Sequence, residues 1–401
     1  MILISSSSCS KADDEDLPTE PVQIDLSASQ ISLVNSGNSF AFDLFRSVLA
    51  ESSEDENIII SPLSVSVALS MALNGASGQT HEDMLETLGV SGLSDDEINQ
   101  AYRDLVKALL EVDRRVNMQI ANSVWVEQTF TPYKTFIDVL KDNYNAETGE
   151  FDVLDPQAPA LVNGWIEDKT NGLIKNMIDS FSENTVMLLI NAIYFKAQWQ
   201  QQFDKALTEP LPFFKQTGAS ANVPMMRQEN TLRIYEGDGF VFAELPYGQG
   251  NYVMDILLPE AEGGTTSLLP ILEDDSYNSL ISGSGTREAD LSMPRFKFGF
   301  KSKLKEILSA MGMTVAFTEW ADFSRISEFD LMINEVLHQA FIETNEEGTE
   351  AAAATVVEFE LTSASPGPFE IKLDHPFLFL IRETTTNTIL FMGRVSDPLA
   401  N

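Results

Sequence analysis

Apolar positions along this chain change their period several times, and each change predicts an element. Phe40, Phe42, Leu44, Phe45, Val48 and Leu49 share one helical face, with Ser39 as the expected N-cap. Ile58 to Ile60 reads as a short buried strand, after which Ser61 and Pro62 turn the chain into a helix of small and apolar residues that stops near Asn74 and Gly75. "NMQIANSVWVEQ" alternates as a strand does, with Trp125 as ordinary core, whereas "ALVNGWIEDKTNGLI" keeps a helical period until Asn171 and Gly172. "VMLLINAIYFKAQW" has no polar face and predicts a central strand covered on both sides. Strands at "YVMDILLP" and "ADLSMPRFKF", a helix at "SKLKEILSAMG" and two closing strands in "HPFLFLIRETTTNTILFMGRV" complete the pattern. Strands and helices alternate irregularly, with no internal repeat and no linker after residue 36, which predicts a single α+β domain over 36–401.

One segment commits to no element. "NEEGTEAAAATVVEFELTSASPGPFEIKLDHPF" joins alanines and glutamates that favour helix to Gly348, which interrupts it, and to the strand formers Thr355, Val356 and Val357. It then passes through Ser363, Ser365, Pro366, Gly367 and Pro368, which reads as exposed loop.

Charge narrows the partners. With 25 Lys and Arg against 61 Asp and Glu, the formal net charge is −36, and such a polyanion is repelled by phosphate backbones and anionic lipid surfaces. Nucleic acid is therefore excluded as a partner, and pairs such as Asp274 with Asp275 read as solvated surface. The 3 histidines, His81, His338 and His375, lie far apart and show no metal-ligand spacing, so neither metal nor cofactor is expected. No nucleophile elbow, Walker loop or dinucleotide fingerprint occurs, and the chain is not expected to be an enzyme.

The single cysteine, Cys9, lies in "MILISSSSCSKADDED", an apolar start followed by small residues and an acidic run. This is similar to the end of a bacterial lipoprotein signal, with Cys9 as the lipidated residue, although Ser6 replaces the usual leucine and the apolar region is short. From Lys11 to about Asp25 the chain is acidic, carries Pro18 and Pro21 and has little to bury. Residues 1–35 are thus expected to be signal remnant and tether, and the protein extracellular or at the cell surface, touching membrane only through a lipid on Cys9.

Ordered motifs over Ser39 to Pro398 carry a specific resemblance. They are Asn57, Ser61, Pro62 and Ser64; Ala68, Leu69, Met71, Gly75, Ala76, Gly78 and Thr80; "VNGWIEDKTNGLIK"; "LINAIYFKAQW" with Asn191 and Trp199; "LPYGQGNYVMDILLP"; "LSMPRFKF"; "HQAFIETNEEGTEAAAAT"; and "HPFLFLIRETTTNTILFMGRV". In these the chain resembles the serpins. The resemblance implies the serpin fold, with a large antiparallel central sheet that accepts one extra strand, smaller sheets, surrounding helices, and an exposed reactive-centre loop near the C-terminus. It also implies a monomer that inhibits serine and some cysteine proteases as a suicide substrate. The enzyme cleaves the loop and forms an acyl-enzyme, and strand insertion traps it. The alternative within the same fold is a non-inhibitory carrier or chaperone.

The resemblance assigns residues as well. The hinge runs Glu346, Glu347, Gly348, Thr349, Glu350, Ala351, Ala352, Ala353, Ala354, Thr355. In an inserted strand Thr349, Ala351, Ala353 and Thr355 would face one way, all small and uncharged, with Glu350 outward. The family's usual spacing of seventeen residues, counted inclusively from Glu346, puts the reactive bond at Thr362–Ser363, with Leu361 and Phe359 as alternative cleavage sites. No Arg or Lys lies between Gly348 and Ile371, so elastase-like, subtilisin-like or papain-like targets are expected and trypsin-like ones are not. Ser61, Ser64, Asn191 and His338 match a polar cluster beneath the central strands, and Trp199 and Glu346 match the point where the hinge enters the sheet.

Overall fold

The computed structural model describes residues 20–260, 263–349 and 367–400. Helix α1 (Ala28–Glu51) starts earlier than the apolar pattern predicts. Its N-cap is Ser27, whose hydroxyl accepts the Gln30 N–H while the Gln30 side chain accepts the Ser27 N–H. Ser39 lies in mid-helix and donates its hydroxyl back to the Asn35 carbonyl. The boundary expected at residue 36 also falls inside this helix, because Leu33, Val34 and, ahead of the helix, Ile24 are buried. These few apolar residues are diluted among serines, and the dilution hides their period.

The remaining helices are α2 (Pro62–Leu73), α3 (Gly78–Thr87), α4 (Asp95–Glu111), α5 (Lys134–Tyr144), α6 (Ala158–Lys169), α7 (Asp274–Gly283) and α8 (Lys305–Leu308). Ser61 caps α2 with Pro62 at its first position, as the sequence predicts. The strands are β1 (Ile58–Ile60), β2 (Val116–Glu127), β3 (Glu147–Phe151), β4 (Met187–Gln198), β5 (Glu209–Phe214), β6 (Ser220–Gly237), β7 (Phe240–Tyr247), β8 (Tyr252–Pro259), β9 (Gly285–Pro294), β10 (Phe296–Lys303), β11 (Leu337–Asn345), β12 (Gly348–Thr349), β13 (Phe369–Lys372), β14 (Phe377–Glu383) and β15 (Ile389–Val395).

These strands build two sheets. A six-stranded sheet runs β10-β11-β12-β4-β2-β3, antiparallel except for the β2–β3 pair at one edge. A nine-stranded sheet runs β1-β15-β14-β8-β7-β6-β9-β13, with β5 paired to β6 and β13 parallel to β9. The nearly all-apolar α2 packs against both β4 and β15, which explains why it shows no polar face.

Two expected elements divide. "ADLSMPRFKF" is two strands, because Pro294 offers no N–H and the chain leaves the nine-stranded sheet for the six-stranded one at Arg295. "SKLKEILSAMG" holds only the single turn α8, followed by a wider turn over Ser309–Met313 where Gly312 adopts φ 127°.

Inside the nine-stranded sheet Arg382 is buried on β14. Its Nε donates to Asp255 at 2.6 Å and its Nη2 to Glu244 at 2.8 Å, both buried. Burial pushes the Glu244 carboxyl up to about 7, with Asp255 adding to the rise and Arg382 opposing it. A lone charge left there would be costly, so this group ties β7, β8 and β14 in one register.

Candidate functional site

Between β11 and β4 lies the two-residue strand β12, and among the described residues it alone pairs with both: Gly348 with Asn345 and Gln198, Thr349 with Thr344 and Ala197. Thr349 is buried, and its hydroxyl shares a 2.8 Å hydrogen bond with the Tyr247 hydroxyl below the sheet. Thr349 is the one member of the expected inward set that lies within the described residues. Gly348 adopts φ 150°, and a Cβ at that position would collide with the Ala197 carbonyl oxygen.

The chain enters this strand through a fixed anchor. Trp199 stacks on Tyr247 with ring centroids 4.3 Å apart and donates its indole N–H to the Asn345 carbonyl at 2.9 Å. The Trp199 and Phe203 N–H groups donate to the carbonyls of Glu347 and Glu346. The Glu346 side chain is fully buried and accepts Arg295 Nε at 2.7 Å and the Thr208 hydroxyl at 2.5 Å. Burial alone would raise its pKa, but the hydrogen bonds from Arg295 and Thr208 outweigh that and hold the carboxyl below the usual range. Lys205 pairs with Glu347 beside it.

Some way down the same sheet, Ser61, Ser64, Asn191 and His338 lie together, with the Ser64 hydroxyl 3.5 Å from the Asn191 carbonyl. The Ser61 N–H donates to His338 Nε2 at 3.0 Å, the Ser61 hydroxyl donates to the Leu390 carbonyl at 2.8 Å, and the Ser64 N–H donates to the Ser61 hydroxyl at 3.3 Å. Burial pushes the His338 imidazole down to about 4, so it is neutral at neutral pH and able to accept. Asn191 donates to Asn122 Oδ1 at 2.7 Å, while its own Oδ1 has no partner among the described residues.

Sequence reasoning missed Arg295, Thr208, Lys205, Tyr247 and Asn122. Arg295 and Tyr247 stand inside quoted motifs, "LSMPRFKF" and "LPYGQGN", but nothing in their spacing says what they touch. Glu350, Ala351, Ala352, Ala353, Ala354, Thr355, Phe359, Leu361, Thr362, Ser363 and Cys9 lie outside the described residues. Among the described residues no cluster of His, Cys, Asp and Glu is arranged to hold a metal, and no helix is long and apolar enough to cross a membrane.

The family model for serpins (serine protease inhibitors) matches residues 35–398, nearly the whole chain. The chain belongs to the serpin family. Iripin-3 of Ixodes ricinus is 36% identical over 87% of this chain and 91% of its own length. A serpin-like protein of Thermococcus kodakarensis is 34% identical over 95% of this chain and 89% of its own. Among solved structures, human thyroxine-binding globulin complexed with thyroxine superposes with a TM-score of 0.85 at 30% identity, over 93% of this chain and all of that one. The thermophilic serpin tengpin in its native state gives 0.84 at 30% identity, over 95% and 97%. This serpin is thus similar both to a relative solved with a bound small molecule and to one solved in the native state.

Proposed function

We propose that this serpin is a suicide-substrate inhibitor of serine proteases, extending to papain-like cysteine proteases, and that the bond it offers is Thr362–Ser363. The observation that carries the reading is β12. Two loop residues already occupy the slot between β11 and β4, with the small Thr349 facing inward. Continuing that ladder would carry Ala351, Ala353 and Thr355 to the same face and bring Thr355 level with His338 and Asn191. A hydroxyl arriving there would meet Asn191 Oδ1, which has no partner among the described residues. About 14 residues from Thr349 to Thr362, at roughly 3.3 Å each, would carry an acylated enzyme about 46 Å along the sheet. Stretching the enzyme's active site before water completes deacylation decides the race between trapping and release.

The loop favours enzymes with small or apolar S1 pockets, so an elastase-like or subtilisin-like protease should form an adduct that survives boiling in detergent, and trypsin should not. We further place the protein outside the cell, held by a lipid on Cys9, which the intact mass of the natural protein tests. A second reading, a non-inhibitory carrier, draws on the likeness to thyroxine-binding globulin, solved with thyroxine bound. Clean loop cleavage by every protease, with no adduct, would favour that reading and end the first.

A further inference from the structure

Beside the hinge anchor lies a cleft of about 610 Å³, within the range of about 300–1,000 Å³ usual for sites that hold a small ligand. Three ion pairs line it: Lys205 with Glu347, Arg295 with Glu346, and Lys297 with Glu343. The two members of each pair are unequally placed. The cationic side chains are 62%, 42% and 57% exposed in that order, and their carboxylates 11%, 2% and 30%. A molecule entering from solvent therefore meets the cations, with the acids behind them. Each ammonium has three N–H donors, so its carboxylate partner leaves donors for a ligand.

The opposite wall is apolar, made by Pro224 on β6 and by Pro398 and Leu399 in the tail after β15. That tail is held in place, because the Asn57 side-chain amide donates to the carbonyls of Asp397 and Ala400 and Lys215 pairs with Asp397. Leu399 is nonetheless exposed. One acceptor in the cleft is also unmet: Glu347 Oε2 is buried and has no partner among the described residues. Native proteins seldom leave such an atom without a donor.

A ligand that suits this cleft carries an anionic group for the cations, an N–H for Glu347 Oε2 and an apolar group for Leu399 and the two prolines. The last residue of a peptide has all three on neighbouring atoms, as its α-carboxylate, its backbone N–H and its side chain. An inorganic anion lacks the donor and the apolar group, and a fatty acid lacks the donor. We propose that this cleft binds the free C-terminal end of a peptide whose last residue is apolar, with the carboxylate toward Lys205, Arg295 and Lys297. Such ends are what a protease with an apolar S1 pocket releases. The inference stands on the cleft and does not require the inhibitory reading. Because Glu346 and Glu347 also hold the start of β12, a bound peptide ties the tail, β10 and the hinge together and stabilises the folded chain by mass action.

Net charge supplies an internal control. On a chain of formal charge −36 an added anion is repelled over most of the surface, so a ligand that binds better as an acid than as an amide reports this cleft. The probe is acetyl-Ala-Ala-Leu with a free carboxylate, compared with its C-terminal amide by calorimetric titration of the full chain. The acid should bind about tenfold more tightly or better, because amidation removes the ionic hydrogen bonds. Lys297→Gln and Leu399→Ser change exposed side chains outside the hinge anchor, and each should weaken binding of the acid about fivefold or more. Bound acid should also slow amide exchange over residues 343–347. Equal affinity for acid and amide, no binding of the acid at millimolar concentration, or wild-type affinity in both variants overturns the proposal. Displacement of the peptide by an equimolar concentration of acetate overturns it too, since the cleft would then select only charge.

Discussion

Replacing Thr349 by Arg perturbs the one inward-facing loop residue whose surroundings are described. The threonine is 4% exposed and its hydroxyl bonds the buried Tyr247 hydroxyl at 2.8 Å. Its ladder partners, Thr344 and Ala197, offer no carboxylate. An arginine there leaves the Tyr247 hydroxyl unpaired, at about 1–3 kcal/mol, and desolvates a cation against the Trp199–Tyr247 stack, at several kcal/mol more. Because Thr349 already sits in this slot before cleavage, the arginine would first be expelled with β12, and returning it during insertion costs roughly 5 kcal/mol. If half of that falls on the insertion barrier, insertion slows nearly a hundredfold, at about 1.36 kcal/mol for each factor of ten. Deacylation is untouched, so the variant should be cleaved as a substrate. The assay titrates an elastase-like protease with wild type, Thr349→Arg and Thr349→Ser, then compares residual activity with the yield of detergent-stable adduct. Thr349→Ser keeps the hydroxyl and should inhibit; Thr349→Arg should yield cleaved serpin and active enzyme. An adduct yield in Thr349→Arg equal to wild type would refute the inward assignment and the claim that insertion decides the race.

Cleavage of the loop between Thr349 and Thr362 by a non-target protease should raise the midpoint of thermal unfolding by about 10 °C or more, since an added central strand is gained; a calorimetric scan before and after the nick checks this, and no shift would contradict the insertion reading. Gly348→Val should reduce adduct yield through the same titration, because its Cβ would strike the Ala197 carbonyl and its backbone sits at φ 150°. His338 should make stability fall in acid. Its folded pKa of about 4 lies below the ordinary value of 6.5, so its contribution is fully present above about pH 6.5 and lost as pH drops toward 4, at about 3 kcal/mol in all. Glu244 acts with the opposite sign: with its pKa raised to about 7, its contribution is present in acid and is lost as pH rises through 7. Denaturant titrations of wild type and His338→Gln at pH 4 and pH 7 separate the two, and an equal pH dependence in both proteins would show that His338 is not the titrating group.

Much of this was legible in the residues, and what escaped did so for physical reasons. β4 declares itself by its unbroken apolar run, and α2 by its Pro62 start and all-round burial. The cluster of Ser61, Ser64, Asn191 and His338 followed only from matching ordered motifs, because its members are up to 277 residues apart and no local period joins them. The start of α1 was hidden because its first turns hold serines and a single capping box in place of an apolar stripe. The Arg295–Glu346 pair was illegible because ionic partners on β10's approach and β11's exit leave no pattern within either segment.

The anchor around Glu346 and Glu347 bears on insertion in a way that sequence alone does not suggest. Side-chain period in a strand is two, so a slip of one residue would turn Glu350, Ala352, Ala354 and Val356 inward and bury a carboxylate in the sheet. Such a slip must begin at the hinge, where the ladder starts. There Glu346 is held by Arg295, Thr208 and the Phe203 N–H, and Glu347 by Lys205 and the Trp199 N–H. These ties fix Gly348 against Gln198 and Thr349 against Ala197. In the proposed insertion an entering strand would therefore zip from a register already chosen, and each later residue would inherit the face that Thr349 takes. Weak local propensity in the alanine-rich segment would be compatible with fast, accurate insertion, because the choice of face would be made upstream, by the buried Glu346 and its partners and not by the inserting residues themselves.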